Sequence, residues 1–224
     1  MNQYLYYRNL RLPLGMRNLL VLIMIVMGSA QMCLAQTNNK APTESDIKVV
    51  CIYNLLKYTD YDEENSDKED KNVPPANPDE KEKSSDLLIG IIGKDHFGEA
   101  WDRIRGKKVG NQTIIIKTFD TYPADNDAEK TKVLAKELRK CKGLFICESE
   151  KEKFKNIIAA VKHESVLTIS ESENFLEQGG IVNFVMGDKK VQFEINLDAA
   201  REAQLKIKAQ VLKLAQRVIQ TKKK

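Results

Sequence analysis

The chain has 224 residues, of which 42% are hydrophobic and 30% are charged, so it contains enough apolar material to bury a globular core. Its 36 basic and 32 acidic residues give a formal net charge of +4. Three basic residues and no acids lie among the first 35 residues, so 33 basic and 32 acidic groups remain after them. This balance excludes an electrostatic case for nucleic-acid binding.

The N-terminus has the three parts of a secretory signal. Arginines precede an apolar run at residues 19–27, and small residues follow it. We therefore predict a signal peptide over residues 1–35, cleaved after Ala35 or after Ala30, and a single exported domain over residues 36–224. An uncleaved membrane anchor is the alternative, but the apolar run is shorter than the ~20 residues that span a bilayer.

A helix followed by a loop is predicted at the start of the exported chain. The residues expected on the buried face of this helix are Ile47, Val50, Cys51, Asn54, Leu55 and Tyr58. Residues 60–86 are rich in acids and prolines and nearly devoid of aliphatic residues. Such a composition cannot bury enough apolar surface to offset the entropy of ordering, so we predict a disordered acidic insertion there.

Apolar runs alternate with helical segments through the middle of the chain. Strands are predicted at residues 87–92, 113–116, 144–147 and 166–169, and helices near residues 97–104, 128–138 and 154–161. Strands separated in this way indicate right-handed crossovers and a parallel sheet with helices on both faces. The predicted fold is α/β, a three-layer α/β/α arrangement around a mainly parallel sheet of about five or six strands.

A hairpin and a long helix are predicted at the C-terminus. Residues 191–195 alternate between apolar and polar, and Gly187-Asp188 favours a turn that folds residues 182–186 back against them in antiparallel pairing. Asn196 or Asp198 can cap the following helix. The residues predicted to line the packed face of this long C-terminal helix are Ala200, Ala203, Ile207, Val211, Leu214 and Val218.

Catalytic signatures are weak in this sequence. The glycines of residues 90–98 do not fit the spacing of a dinucleotide-binding loop. His96 and His163 are the two histidines, and neither has a cysteine or carboxylate at a metal-ligand spacing. Cys147 and His163 could form a nucleophile and base, but Cys147 lies in an apolar strand, where a core role is favoured. We therefore predict no enzymatic activity, no cofactor and no catalytic or metal-binding residue.

Several motifs together resemble the YfiR family of bacterial periplasmic proteins. They are Lys48, residues 53–54, 57–58, 89–98, 141–146 and 166–170, Phe175, and residues 179–180, 193–197, 205–206 and 212–215. Each motif alone is weak, but their order and spacing are specific, and the resemblance covers roughly residues 45–220.

The resemblance implies regulation rather than catalysis. In this family a periplasmic repressor binds the outward-facing sensor domain of an inner-membrane diguanylate cyclase and restrains cyclic di-GMP synthesis until envelope or redox stress releases it. By resemblance, this chain is a periplasmic regulator whose partner is an inner-membrane sensor protein of the diguanylate cyclase type. A homodimer stays open as a second mode of association.

The cysteines of the exported chain are Cys51, Cys141 and Cys147, an odd number that leaves at least one thiol free or paired between chains. In an extended strand the Cα atoms of Cys141 and Cys147 would lie about 20 Å apart, too far for a disulfide unless the chain reverses between them. Both stay candidates for a disulfide or for redox-active thiols. The resemblance implies another pairing, since relatives often bridge a cysteine near the position of Gly90 to one at the position of Cys141.

A small-molecule binding module is the alternative function. Ligands of parallel α/β sheets bind at the carboxyl ends of the strands, which lie near residues 93–96, 148–150 and 170–172. Glu148, Ser149, Ser170 and Ser172 could supply polar contacts there. Exposed polar loops explain these residues equally well, so they are not assigned as site residues.

Overall fold

The computed structural model describes residues 41–61, 86–124, 127–187 and 190–221. The predicted signal peptide and most of the predicted acidic insertion lie outside these residues. No helix in the described ranges combines the length and apolar character needed to cross a membrane.

An eight-stranded mixed sheet forms the centre of the described structure from Pro42 onward. Its strands, in spatial order, are β10 (Arg217–Ile219), β8 (Lys190–Asn196), β7 (Val182–Gly187), β6 (Leu167–Ser170), β5 (Gly143–Ile146), β2 (Asp86–Ile92), β4 (Gln112–Phe119) and β3 (Lys108–Val109). Neighbouring strands pair in parallel except β7 with β8 and β3 with β4. The prediction of a mainly parallel α/β sheet is confirmed, and the short strands β3 and β10 extend it beyond the expected number.

Helices and a separate small sheet complete the architecture. The helices are α1 (Glu44–Lys57), α2 (Ala128–Leu138), α3 (Phe154–Val161), α4 (Leu197–Glu202) and α5 (Ala209–Leu212), with 3₁₀ helices at Gly98–Arg103 and Glu148–Lys153. The small sheet pairs β1 (Thr59–Tyr61) with β9 (Leu205–Ile207) in antiparallel orientation. The helix predicted over residues 128–138 is confirmed, and the Asp127 side chain caps it.

Two apolar cores lie on the two faces of the sheet. Along β5 and the residue after it, Phe145 and Cys147 belong to the core that includes residues of α1, whereas Leu144 and Ile146 belong to the core that includes residues of α2 and α3. Successive residues of a strand point to opposite faces, so this alternation places α1 on one face and α2 with α3 on the other.

The predicted long C-terminal helix is wrong. Helix α4 ends at Glu202, and Gln204 then adopts a left-handed backbone with φ of 57° that a continuing helix does not allow. The next residues pair as β9 with β1, which buries Leu205 and Ile207, and the chain returns to the main sheet as β10. Leu214, predicted on the packed face, is 73% exposed.

The C-terminal hairpin and its cap are confirmed. Strands β7 and β8 pair in antiparallel register from Val182 with Ile195 to Gly187 with Lys190. Asn196 caps α4, since its Oδ1 accepts hydrogen bonds from the backbone N–H groups of Asp198 and Ala199. Residues 188–189 of the turn lie outside the described ranges.

Two smaller expectations also need correction. Ile47 and Val50, predicted on the buried face of α1, are each 41% exposed, whereas Val49 and Ile52 are buried. Apolar residues occur around most of α1, so periodicity does not select one face. The predicted insertion 60–86 is also too wide, because its first two residues belong to β1 and its last residue begins β2.

Candidate functional site

A cavity of about 790 Å³ lies at the carboxyl edge of β5 and β6, beside α1 and the hairpin. The residues that line it are Glu44, Lys48, His96, Glu148, Glu171, Glu173, Asn174, Glu177, Asn183, Phe184, Val185, Met186, Glu194 and Arg217. A volume of this size suits a small-molecule ligand. The edge predicted from the strand order is therefore where the structure places a cavity.

A buried lysine organises one side of this cavity. Lys48 is buried within α1, and its Nζ lies 2.6 Å from Oε2 of Glu171, which directly follows β6. Glu44, one turn earlier in α1, also pairs with this amine. The amine lies 5.9 Å from the centre of the Phe97 ring, a cation–π distance.

The protonation of Lys48 follows from these contacts. Burial favours the neutral amine and lowers its pKa, but the carboxylates of Glu171 and Glu44 outweigh that effect, so the pKa of Lys48 lies above its usual value. The second oxygen of Glu171 lies 2.9 Å from Nε2 of the more exposed His96. Glu171 therefore links α1 to the segment after β2.

The loop that carries His96 is held by Asp95. The Asp95 carboxylate accepts hydrogen bonds from the backbone N–H groups of Phe97 and Gly98 and from the Trp101 indole N–H. Gly93 turns this loop with φ of +99°, and an added Cβ there would lie 2.5 Å from the Ser149 hydroxyl oxygen. Only glycine fits this close approach, which holds the loop against the segment after β5.

The opposite side of the cavity is closed by a second ion-pair cluster. The Arg217 guanidinium, from β10, lies 2.7 Å from Glu194 in β8 and 3.3 Å from Glu177. The hydrogen bonds that the guanidinium donates to Glu194 and Glu177 raise the pKa of Arg217 further above its usual range, despite an opposing effect of burial. This cation is thus already neutralised by its own neighbours.

Asn183, in β7, carries an unsatisfied polar atom at this cavity. Its side chain is 6% exposed, and among the described residues its Oδ1 has no hydrogen-bond partner. A buried acceptor left without a donor costs about 1–3 kcal/mol. The fold keeps this cost at a position that lines the cavity.

The polar residues predicted at this edge divide into two groups. Glu148 lines the cavity, but Ser149 accepts a hydrogen bond from the Lys94 backbone N–H, and the buried Ser170 hydroxyl donates to the Ile146 carbonyl. Ser172 is buried beside Ser170. The serines therefore support the strand ends, whereas the glutamate faces the cavity.

Sequence reasoning missed most of the groups that define the site. Glu171, Asn183 and Arg217 had no predicted role, and Lys48 entered only as part of the family-like pattern. A lysine within an apolar helix face is a signal for a buried ion pair, but its partner is distant in the chain. Arg217 lies within the predicted C-terminal helix, in a segment that forms β10 instead.

The structure does not bring Cys141 and Cys147 together. Both thiols are free and buried, and they belong to the two different cores, on opposite faces of the sheet. Burial raises the pKa of each thiol to about 12, which keeps both protonated at neutral pH. A redox role for either residue stays a prediction.

The chain is also similar to a known protein family. A model of the YfiR/HmsC-like family matches residues 75–216, more than half of the chain. Comparison with curated proteins gives no match.

Two solved structures share a low similarity with the chain. One is the ABC domain in complex with L-Trp from Streptococcus pneumonia, with 15% identity over 59% of this chain and 55% of that chain, and a TM-score of 0.44. The other is a conserved domain protein from Vibrio cholerae O1 biovar eltor, with 12% identity over 79% of this chain and 60% of that chain, and a TM-score of 0.47. The chain thus spans less than two thirds of the length of either protein.

Proposed function

We propose that this chain, which belongs to the YfiR/HmsC-like family, is an exported periplasmic regulator that binds and restrains the extracytoplasmic sensor region of an inner-membrane diguanylate cyclase. The observation that carries the proposal is the family match over residues 75–216. The family is regulatory rather than catalytic, so the proposal assigns no reaction to the chain.

Restraint of this kind is a shift between two states of the partner. The chain must bind the inactive state of the cyclase more tightly than the active state, because a ligand with equal affinity for both shifts nothing. Moving a cyclase from about 99% active to about 99% inactive needs a difference in affinity of about 10⁴-fold. A releasing signal need only remove that difference.

Helix α1 offers a surface for this contact. Ile47 and Val50 lie three residues apart on the helix and are both well exposed, although their neighbours Val49 and Ile52 are buried. Glu44 and Lys48 of the same helix line the cavity. We propose that the sensor region packs on this exposed aliphatic pair.

The regulatory proposal is tested in the intact envelope of the host. Crosslinking of the chain should capture a membrane protein with a diguanylate cyclase domain, and removal of the chain should raise cyclic di-GMP. The double variant Ile47→Asp with Val50→Asp should reproduce the removal, whereas Val133→Asp, at a site 57% exposed on α2, should not. Unchanged cyclic di-GMP after removal of the chain would overturn the proposal.

Export is part of the same proposal. The mature N-terminus should be residue 31 or residue 36, following cleavage after Ala30 or Ala35, and the protein should appear in the periplasmic fraction. N-terminal sequencing of the purified protein decides between the two sites. An intact N-terminus in the membrane fraction would favour the uncleaved anchor.

A small-molecule binding module is the second candidate function. The specific observation in its favour is the cavity at the carboxyl strand edge, which is lined mainly by polar and charged side chains. Ligand-dependent thermal shifts of the purified chain, measured without any partner, would support it. The two functions are compatible, since a ligand could act as the releasing signal.

A further inference from the structure

A second, smaller cavity lies beside the first residues of β6, between helices α3 and α4. Its volume is about 200 Å³, and residues 178–181, which lead into β7, close its remaining side. Among the described residues, none lines both this cavity and the one at the carboxyl strand edge. The two cavities are therefore separate sites.

The wall of the second cavity is mostly aliphatic. Ile158 and Val161 come from α3, Val166 directly precedes β6, and Ile181 directly precedes β7. The lining residues with short apolar side chains are Ala159, Ala199 and Ala203. Apolar cavities of about 150 Å³ hold a benzene molecule. The volume of this cavity therefore suits an apolar group of about that size.

One buried polar side chain belongs to this apolar lining. Thr168 is 2% exposed and pairs in register with Leu144, which lies in the core that includes residues of α3. Residues paired in this way share one face of the sheet, so Thr168 points to the face on which α3 forms the cavity wall. Its Oγ1 accepts a hydrogen bond of 3.1 Å from the backbone N–H of Ile181, which is also a wall residue.

The hydroxyl of Thr168 has a donor that the fold leaves unused. A threonine hydroxyl both accepts and donates. The Ser170 hydroxyl of the same strand donates to the Ile146 carbonyl, but the Thr168 hydroxyl donates to no acceptor in the described ranges. A buried donor without an acceptor is unfavourable. An oxygen atom of a ligand in the cavity would satisfy it.

The mouth of the cavity carries one uncompensated positive charge. Its ionisable lining residues are Lys155, Lys162 and Glu202, and all three are exposed. The Lys162 Nζ lies 3.1 Å from Oε2 of Glu202, so these two charges neutralise each other. Lys155 forms no ion pair with any residue that the structure describes. The mouth therefore favours an anion over a cation.

From these observations we infer that the second cavity binds a small monocarboxylate whose apolar body is about the size of a benzene ring. The apolar body packs against the aliphatic wall, and the oxygens of the ligand accept from the two free donors, the Lys155 ammonium and the Thr168 hydroxyl. This site depends neither on the regulatory proposal nor on a ligand at the carboxyl strand edge, because it shares no lining residue with that cavity.

The direct test uses three ring compounds of matched shape and follows the methyl NMR signals of the purified protein. Benzoate is an anion, benzamide is neutral and benzamidine is a cation. The methyl signals of Ile158 and Ile181 should shift, whereas those of Ile47 on α1 should not. Benzoate should bind with a Kd at least about tenfold below that of benzamidine, with benzamide between them. Equal affinity for benzoate and benzamidine, or no shift of the cavity methyl signals, would overturn the inference.

Two variants separate the effect of charge from the effect of space. Lys155→Gln should weaken benzoate binding about threefold to fivefold and leave benzamide binding unchanged, because it removes only an exposed charge. Ala199→Leu should abolish the binding of both compounds, since its larger side chain occupies the cavity, and should not lower the Tm. The matched controls Lys136→Gln and Ala209→Leu, at exposed positions outside the lining, should bind benzoate as the unmodified protein does. Retention of benzoate binding in Ala199→Leu would contradict the assignment.

The hydroxyl donor is tested at Thr168 itself. Thr168→Val keeps the shape of the side chain and removes the donor, so it should weaken benzoate and benzamide alike, by about threefold to tenfold. Thr168→Ser keeps the hydroxyl and should bind both compounds more tightly than Thr168→Val does. Unchanged benzoate affinity in both Lys155→Gln and Thr168→Val would overturn the inference.

Further probes distinguish the sources of a carboxylate. Hexanoate replaces the ring with a short chain and should shift the same methyl signals as benzoate. Dodecanoate tests whether the carboxylate arrives on a lipid chain, and sodium sulfate tests whether any anion suffices. Dodecanoate should bind no more tightly than hexanoate, because the cavity holds only a short apolar body. Tighter binding of dodecanoate, or equal shifts with sulfate, would overturn the assignment to a small monocarboxylate.

Discussion

Gly90 leaves room in the middle of β2 for a side chain from the neighbouring segment. A Cβ added at Gly90 would lie 2.8 Å from the Sγ of Cys141, and in a disulfide one Cβ lies about 3 Å from the partner sulfur. We therefore predict that Gly90→Cys forms a disulfide with Cys141, the pairing that the family resemblance implies for relatives. Intact-mass measurement after air oxidation should show the loss of two hydrogen atoms.

Matched variants separate this bond from crowding. An added Cβ at Gly90 would also lie 3.0 Å from both Leu144 and Phe119, so Gly90→Ala should destabilise the protein by about 1–3 kcal/mol. The double variant Gly90→Cys with Cys141→Ser should show no loss of mass under the same oxidation, because the partner thiol is absent. Alkylation of the introduced thiol in the oxidised single variant would show that the two positions are not as close as the structure has them.

Lys48 makes a second prediction at the scale of one residue. Lys48→Met removes the cation that neutralises Glu171 and leaves a largely buried carboxylate poorly compensated. We expect the free energy of unfolding to fall by about 3 kcal/mol, as for other broken buried pairs, when it is measured by urea denaturation at pH 7.

The control for this prediction is Lys132→Met, because Lys132 is exposed on α2 and its loss should change stability by less than about 0.5 kcal/mol. Adding Glu171→Gln to Lys48→Met should recover part of the loss. Equal effects of the two lysine variants would mean that Lys48 is not neutralising a buried charge.

At the scale of elements, the C-terminal strands give opposite expectations for two leucines. Leu205 in β9 is 4% exposed and packs in the core, whereas Leu214 after α5 is 73% exposed. Leu205→Ala should therefore cost about 2–5 kcal/mol of unfolding free energy, and Leu214→Ala less than about 0.5 kcal/mol. A continuous helix with Leu214 on its packed face and Leu205 off it, as the sequence predicts, would make Leu214→Ala the costly substitution instead. Urea unfolding curves of the two variants distinguish the arrangements.

The elements that sequence predicts well are those whose stability is local. The run at residues 87–92 is apolar throughout, as expected for a strand buried on both faces, and α2 begins at an aspartate cap. Strand β9 is different, because its partner β1 lies at the other end of the described chain. The alternation of Leu205 and Ile207 is too short to outweigh a helical spacing, and only the distant pairing decides between them.

The candidate site was predictable in position but not in composition. Parallel strands end at a common edge, so residues after β5 and β6 could be expected to meet there. The cavity also needs Lys48 from α1 and Arg217 from β10, two cations that no local sequence pattern places at this edge. Their placement depends on ion pairs with Glu171 and Glu194, which join segments far apart in sequence.

At the scale of the whole molecule, the sheet divides the apolar interior into two cores, and each contains one buried cysteine. Cys147 belongs to the core beneath α1 and Cys141 to the core beneath α2 and α3. The two cores share the strands of the sheet, so a charge formed in either one destabilises the same folded unit. Ionisation of either thiol therefore lowers the stability of the whole folded unit.

These two thiols make the free energy of unfolding fall as the pH rises into the alkaline range. Burial raises the pKa of Cys141 and Cys147 from 9.0 to about 12 in the folded protein, so between these values the unfolded chain releases thiol protons that the folded protein retains. Stability contributed by the thiols is complete below pH 9 and is lost as the pH rises, by about 1 kcal/mol for each thiol at pH 10. We expect the unfolding free energy to fall less between pH 7 and pH 10 in the variant Cys141→Ala with Cys147→Ala than in the unmodified protein. The cavities left by alanine lower stability equally at pH 7 and pH 10, so the change in unfolding free energy between these pH values isolates the effect of thiol ionisation. An identical pH dependence in both proteins would show that the thiols are not held in the protonated form.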